Sequence, residues 1–390
     1  MGQTYLFVID SFGAGGAERS LLELIPLLSN RGVSATVACL YRSRVGFEEE
    51  AREAGLRVEV LPGRGLPAKV LSLRRLVRNL EPDLIYTSLF NADLVGRIAA
   101  IRLGVPVVVN LVNTSYDAAR LADPNVKAWR LRFLKSIDGF LARHLTDHFH
   151  AISEAVKVSA VESFRVSPER ITVVRRGRDL DRIGERTPER RAAMRASLGL
   201  DESAEVLVTV GRQEYQKGHV HLIDALPAVI AARPNVHLLL VGREGHFSAA
   251  IQERIATLGL DERVTLLGHR GDVTDVMAAA DLFVFPSLYE GLGGALIEAI
   301  GLGLPAVVSD LPALREVVEA GGSGDVVPPG DSLSLAKAIS ALLADEPRRD
   351  RYSVRAREIF EERFRSEVVV ERLADLLASV ASGAQSTRDS

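Results

Sequence analysis

Two cations and two acids, each pair set among glycines, are the residues of this chain whose types and spacing could do chemistry. Arg212 and Lys217 follow an apolar, β-branched run (EVLVTVG, 205–211) and precede a helical pattern that starts near 219, with Gly211 and Gly218 at their edges. Fixed positive charge at the carboxyl end of a strand, beside the free N–H groups of a helix start, suits a phosphate. On this segment alone, a solvated loop holding an Arg and a Lys is an equal alternative. Glu290 and Glu298 lie eight apart in Pro286-Ser287-Leu288-Tyr289-Glu290-Gly291-Leu292-Gly293-Gly294-Ala295-Leu296-Ile297-Glu298. Acids so spaced across a strand-to-helix junction can reach different hydroxyls of one polar ligand. Gly291, Gly293 and Gly294, with Leu292 among them, let that ligand approach backbone N–H groups. The bland reading makes Glu298 an exposed helix residue and Glu290 a capping acid. Glycines in a first helical turn cost stability, which argues for a ligand.

A third loop, Gly13-Ala14-Gly15-Gly16-Ala17-Glu18, leaves the first strand-like run and opens a helix, where an anion could sit. Glu18 replaces the third glycine of a dinucleotide-binding G-x-G-x-x-G. The second run ends Cys39-Leu40-Tyr41-Arg42 without a ribose-binding acid, which counts against that use. Glycines that merely turn a strand into a helix remain the alternative.

The elements that must position these residues alternate between short β-branched runs and longer helical patterns. Strands are expected at 4–10, 34–40, 57–61, 83–88, 105–112, 148–153 and 171–175, with helices at 17–30, 45–54, 66–80, 89–103 and 125–145. After a charged, proline-containing pause the pattern restarts. Strands then fall at 205–211, 236–242, 263–268, 281–287 and 305–310, and helices at 219–232, 248–258, 272–279, 293–301 and 331–344. Doubly apolar strands joined by helices mean parallel sheets, so the fold class is α/β with two Rossmann-like domains facing a cleft. The expected division is 1–178, 179–365, and a separate C-terminal helix with a disordered tail at 366–390, with the linker near 178–200.

Composition bounds the function. The 390 residues exceed what one core usually serves, and a 47% apolar, 25% charged make-up is that of an ordinary globular chain. No spanning segment or leader stands out, which suggests a cytoplasmic protein. Cys39 ends an apolar run and reads as core. A net charge of −3 hides an asymmetry: residues 1–180 carry 25 basic against 19 acidic side chains. That excess is too small for bulk nucleic-acid binding, but leaves room for an anionic surface.

Taken together, the segments resemble glycosyltransferase family 4, retaining enzymes of the GT-B fold. The resemblance rests on GGAE at 15–18, VGR and KG within 210–218, ADLFVFPSLYEG at 280–291, the Glu290/Glu298 pair, and EAIGLGLPAVVSD at 298–310. It implies a nucleotide-sugar donor, with Arg212 and Lys217 on its diphosphate. Glu298 would take the ribose hydroxyls and Glu290 the transferred sugar. Leu292, Gly293 and Gly294 would offer backbone N–H groups, beside Gly211 and Gly291, while Gly15 and Gly16 would line the first domain's loop. Arg212, Lys217 and Glu290 are thus the expected catalytic set. No cofactor and no metal are expected, because leaving-group charge can be met by those cations and a helix start. Asp179-Leu180-Asp181 formally spells D-x-D, but lies in the linker stretch.

Two departures stand out. The loop after the fifth strand, Asn110-Leu111-Val112-Asn113-Thr114-Ser115-Tyr116, has no histidine where many members carry one; Asn113 stands near the place of the reacting sugar and can only hydrogen-bond. Arg175-Arg176-Gly177-Arg178 brings three extra cations close to the linker. Two rivals stay open: a nucleotide-sugar epimerase, and a non-catalytic homologue that binds nucleotide sugars. Among the histidines, His148 and His150 share one side of a strand, and His219 and His221 follow Lys217; none suggests a metal site. The acceptor is expected to be a glycan, a small molecule or lipid-linked. The last fits the 66–80 helix, where Arg74, Arg75 and Arg78 surround Leu71 opposite an apolar stripe, a face that could rest on an anionic membrane at its inner side.

Overall fold

The computed structural model describes residues 3–13, 15–43 and 46–386. These described residues form two α/β units: those within 1–117, 125–179 and from 365 onward make the first, 118–124 and 180–364 the second. In the first unit, seven parallel strands are β1 (Thr4–Ile9), β2 (Ser34–Cys39), β3 (Arg57–Val60), β4 (Leu84–Ser88), β5 (Val107–Leu111), β6 (His148–Ala151) and β7 (Ile171–Val173), in the order β3-β2-β1-β4-β5-β6-β7. The second unit has β8 (Glu205–Val210), β9 (Val236–Val241), β10 (Val264–Gly268), β11 (Leu282–Phe285), β12 (Ala306–Ser309) and β13 (Gly324–Val327), in the order β10-β9-β8-β11-β12-β13. Each sheet therefore winds to one edge and then restarts on the other side of its first strand. That reversal falls between β1 and β4 and between β8 and β11. Loops diverging at such a point leave a crevice at the carboxyl ends of the strands.

The central strands are apolar on both faces because helices cover both. Val206, Leu207 and Val208 of β8 are fully buried, with Val208 beside Leu239 on one side and Phe283 on the other. Cys39 is buried, and burial pushes its thiol up to about 12.

Several expectations need correction. The C-terminal helix, Ser366–Ser386, is no separate piece: Val370, Leu373 and Leu377 join Phe7, Leu21 and Ile25 in the first unit's core. The helix runs into the expected tail as far as Ser386, and residues 387–390 lie outside the described residues. The stretch expected as linker holds a helix, Pro188–Ser197, started by Thr187, whose hydroxyl accepts from the Arg190 N–H, with Pro188 in its first turn. Arg191 and Arg195 bind the Asp281 carboxylate at 2.7 and 2.8 Å, fixing that helix within the second unit. A further helix, Glu154–Phe164, is capped by the Ser153 hydroxyl, and the short edge strand β13 was also not expected.

Candidate functional site

The loop after β8 and the loop after β11 are stitched together at the second sheet's point of reversal. After β8 the chain runs through one 3₁₀ turn, Tyr215–Lys217, and leaves it at Gly218 with φ +63°. A Cβ at Gly218 would lie 2.0 Å from the Pro286 carbonyl oxygen, so a bare Cα is required both by the turn and by the contact. The Leu288 N–H donates to the Gln216 carbonyl at 2.8 Å, and Gln216 Nε2 donates to the Tyr289 carbonyl at 2.9 Å.

Across this seam Lys217 Nζ donates to Glu290 Oε1, the same oxygen that the Ser287 hydroxyl reaches at 3.0 Å. The lysine stem lies over Gly211, where a Cβ would come within 3.1 Å of its Cγ and Cδ, and its ammonium stands 5.0 Å from the centre of the Phe285 ring. Glu290 is buried and Lys217 half-buried. Arg212, on the same loop, is exposed. Next to Lys217, His219 is buried, and burial followed by the lysine's charge pulls its pKa down to about 3; its Nδ1 has no hydrogen-bond partner among the described residues.

Beyond Glu290 the chain passes buried Gly291 and Leu292 to Gly293, whose left-handed backbone (φ 85°) opens the helix Gly294–Gly301. No side chain caps this helix start, which leaves its first N–H groups for a ligand. Glu298 lies half-buried on the same helix. Fixed cations, an uncapped helix start and a held carboxylate make a site for an anion that carries hydroxyl groups.

A family profile described as "Glycosyltransferase Family 4" matches residues 14–182, and one described as "Glycosyl transferases group 1" matches residues 190–359. The D-inositol 3-phosphate glycosyltransferase of Segniliparus rotundus is 31% identical over 343 residues, 85% of this chain and 74% of that protein. The chain belongs to glycosyltransferase family 4. Another relative of this family-4 chain is the lipopolysaccharide core biosynthesis mannosyltransferase LpsB of Rhizobium meliloti, 31% identical over 183 residues. That match spans 45% of the chain and about half, 52%, of the relative's length. Among solved structures, Anabaena HepE in complex with UDP and glucose superposes with a TM-score of 0.84 at 26% identity, covering 96% of this chain and 99% of that one. The two Rossmann-like parallel sheets are thus those of the GT-B class.

In this family-4 chain, the structure brings Gly211, Lys217, Glu290, Gly291 and Gly293 to one seam, with Arg212, Leu292, Gly294 and Glu298 on the flanking loop and helix. Gly15 and Gly16 belong to the first unit, where Gly15 precedes and Gly16 starts the helix Gly16–Ser29; Ala14 of that loop lies outside the described residues. A Cβ on Gly16 would come 3.1 Å from Arg176 Nη1. Asn113 spends its side-chain oxygen on the Thr114 N–H at 2.9 Å.

The sequence did not point to a cavity of about 40 Å³ inside the first unit, where Tyr86, Asn110, His150, Arg175 and Arg176 share the lining with apolar side chains such as Leu21. His150 Nε2 lies 2.7 Å from the Val174 carbonyl and so carries the proton; its Nδ1 accepts from the Tyr86 hydroxyl at 2.6 Å. Burial, the largest influence, pulls His150 down to about 4. Asn110 Nδ2 donates to Ser88 Oγ at 2.9 Å, while its Oδ1 has no partner among the described residues. The signal was available: Asn110 and His150 are polar residues within apolar strands, and they sit opposite each other between β5 and β6. Of the three extra cations, Arg178 is buried 3.8 Å from Glu23.

Other candidates disperse. His148 pairs with Thr172 Oγ1 at 2.8 Å, and His144 lies against the Phe140 ring. The 66–80 helix forms as Gly65–Leu80, with Leu73 and Val77 buried, but part of its basic face is committed: Lys69 donates to the Leu61 carbonyl, and Arg74 to the carbonyls of Ala99 and Ile101. Leu71, Arg75 and Arg78 stay exposed.

Proposed function

We propose that this family-4 transferase moves a sugar from a nucleoside diphosphate sugar to an acceptor hydroxyl, with retention of anomeric configuration and without a metal. The single observation behind this reading is the seam of Lys217, Ser287 and Glu290 beside the uncapped start of Gly294–Gly301. Arg212 and Lys217 neutralise the diphosphate as the bond from the sugar's anomeric carbon to its oxygen breaks and the electron pair stays on the diphosphate. The N–H groups after Gly293 face the same charge, Glu298 takes ribose hydroxyls, and Glu290 contacts the sugar. HepE with UDP and glucose, and LpsB as a mannosyltransferase of lipopolysaccharide core, support a nucleotide-sugar donor and a lipid-borne acceptor.

No helix among the described residues is long and apolar enough to cross a membrane. A lipid-borne acceptor would then be met by a cytoplasmic chain attached peripherally to the inner face of a membrane; in the 66–80 stretch Leu71, Arg75 and Arg78 are left for this.

The chemistry is tested by incubating the chain with UDP- and GDP-sugars, following nucleoside diphosphate release, and reading the product's anomeric protons by NMR. Release should persist in EDTA and the product should keep the donor's configuration. An inverted product, or activity abolished by EDTA and restored by Mg²⁺ or Mn²⁺, refutes the corresponding part. An epimerised donor would return the rival enzyme class.

A further inference from the structure

The helix Ala128–His144 of the first unit presents three large aromatic side chains to solvent: Trp129 is 69% exposed, Phe133 60% and Phe140 55%. At 100° per residue they fall within an arc of about 40°, a single stripe. Apolar side chains scattered singly need no explanation, but three aromatics aligned on one helix do. The helix has other means of holding itself to the fold. Leu131 and Leu141 are buried, and buried Asp138 binds Arg97, which also donates to Thr146 Oγ1 at 2.9 Å. The aromatic stripe is therefore surplus to folding.

Charge says what the stripe fits. Between Lys127 and Thr146 the only acid is Asp138, and it faces inward; Lys127, Arg130 and Arg132 are exposed, as is Arg143, whose Nη1 also donates to the Phe164 carbonyl at 2.7 Å. Arg132 and Arg143 lie about 60° to 80° from the stripe's centre on one side and Arg130 about 80° on the other. Aromatic rings with an apolar body between rows of cations are the pattern of a helix lying in a membrane interface, rings among the acyl chains and cations at anionic headgroups. A second copy of this chain would bring the same cations against each other, which disfavours self-association through this face.

We propose that Ala128–His144 is the surface by which this protein docks on an anionic lipid bilayer, with Trp129, Phe133 and Phe140 inserted at the headgroup level. This inference rests on the reading of a lipid-borne acceptor and names the surface that meets it. It transfers the main contact from the 66–80 helix, whose exposed apolar residue on the basic face is Leu71 alone, to a helix where Arg130 and Arg132 flank three exposed aromatics.

Trp129 is the chain's one tryptophan, so its fluorescence reports on this face alone. The full chain is mixed with vesicles of phosphatidylcholine and phosphatidylglycerol in equal parts, and with pure phosphatidylcholine. Trp129 emission should shift to the blue and be quenched by brominated acyl chains with the anionic vesicles only, and the effect should fade in high salt. Phe133→Ser/Phe140→Ser, which keeps the reporter, should weaken co-sedimentation by roughly tenfold or more, whereas Arg75→Glu/Arg78→Glu should weaken it less. Thermal stabilisation by UDP or GDP in the same variants reports separately on the donor site. Nucleotide binding without vesicle binding overturns the docking surface and leaves the transferase reading standing; vesicle binding without nucleotide binding does the reverse. Sedimentation with an unchanged Trp129 spectrum means another surface binds, and a blue shift that follows protein concentration without lipid means self-association. Either result overturns the proposal.

Discussion

Lys217 and Glu290, 73 positions apart in the chain, satisfy each other across the seam between the loops that follow β8 and β11. Each is thus held in place by the other, and each becomes available when a diphosphate or a sugar offers a replacement partner. Lys217→Ala should lose twice: nucleoside diphosphate binding weakens, and the buried Glu290 carboxylate is stranded, at a stability cost of roughly 1–3 kcal/mol. Lys217→Met/Glu290→Gln should recover most of the stability and none of the binding. Urea unfolding and calorimetry on the three proteins check this; equal stability of Lys217→Ala and wild type would show that the pair contributes nothing to the fold.

Glu298 sits on the helix Gly294–Gly301, where alanine is an equal or better helix former. Glu298→Ala should therefore keep the helix and weaken nucleoside diphosphate binding by roughly tenfold or more, the usual worth of a hydrogen bond to a charged group. Unchanged affinity by calorimetry would remove Glu298 from the donor site.

Gly218→Ala places a Cβ in a left-handed backbone and against the Pro286 carbonyl. The seam must open to admit it. A loss of roughly 2 kcal/mol or more is expected in chemical unfolding, with weaker nucleotide binding alongside. A neutral Gly218→Ala would mean that the two loops are not held together as described.

His150 and His219 are both held uncharged by burial, at about 4 and about 3. In the unfolded chain each takes up a proton as pH falls through about 6.5, so the unfolded state binds more protons and stability is lost as pH falls toward 4. Asp93, pushed up to about 7 by burial, gains its proton in the folded state and works in the opposite sense. The test is therefore a difference. Between pH 7 and pH 5, wild type should lose roughly 2 kcal/mol relative to His150→Gln, and a similar amount relative to His219→Gln. Parallel pH profiles would show that these rings titrate normally.

Much of this fold was legible because its signals are local. The runs that became β1, β2, β8 and β9 are mostly apolar, and glycines at 211, 218, 291, 293 and 294 marked the turns that carry the site. The helix Glu154–Phe164 was obscured by Val156, Val158 and Val161, which suit a strand as well; the Ser153 cap decides for the helix. β13 has only four residues beginning with a glycine, and exists because β12 offers it an edge. The Lys217–Glu290 bond and the Asn110–His150 juxtaposition lie in strand register and loop packing. No single-segment reading contains either.

The placement of Ser366–Ser386 in the first unit's core has a consequence for synthesis. The sheet that begins at Thr4 lacks a wall until the last helix leaves the ribosome, because Val370, Leu373 and Leu377 must first cover Leu21 and Ile25. Residues 180–364 are complete in themselves by then, apart from a few residues made earlier. In translation, the half of the protein made first would therefore reach its native state last. Its unfinished apolar face would wait through the whole of the second domain's emergence, an interval in which a chaperone would find most to bind.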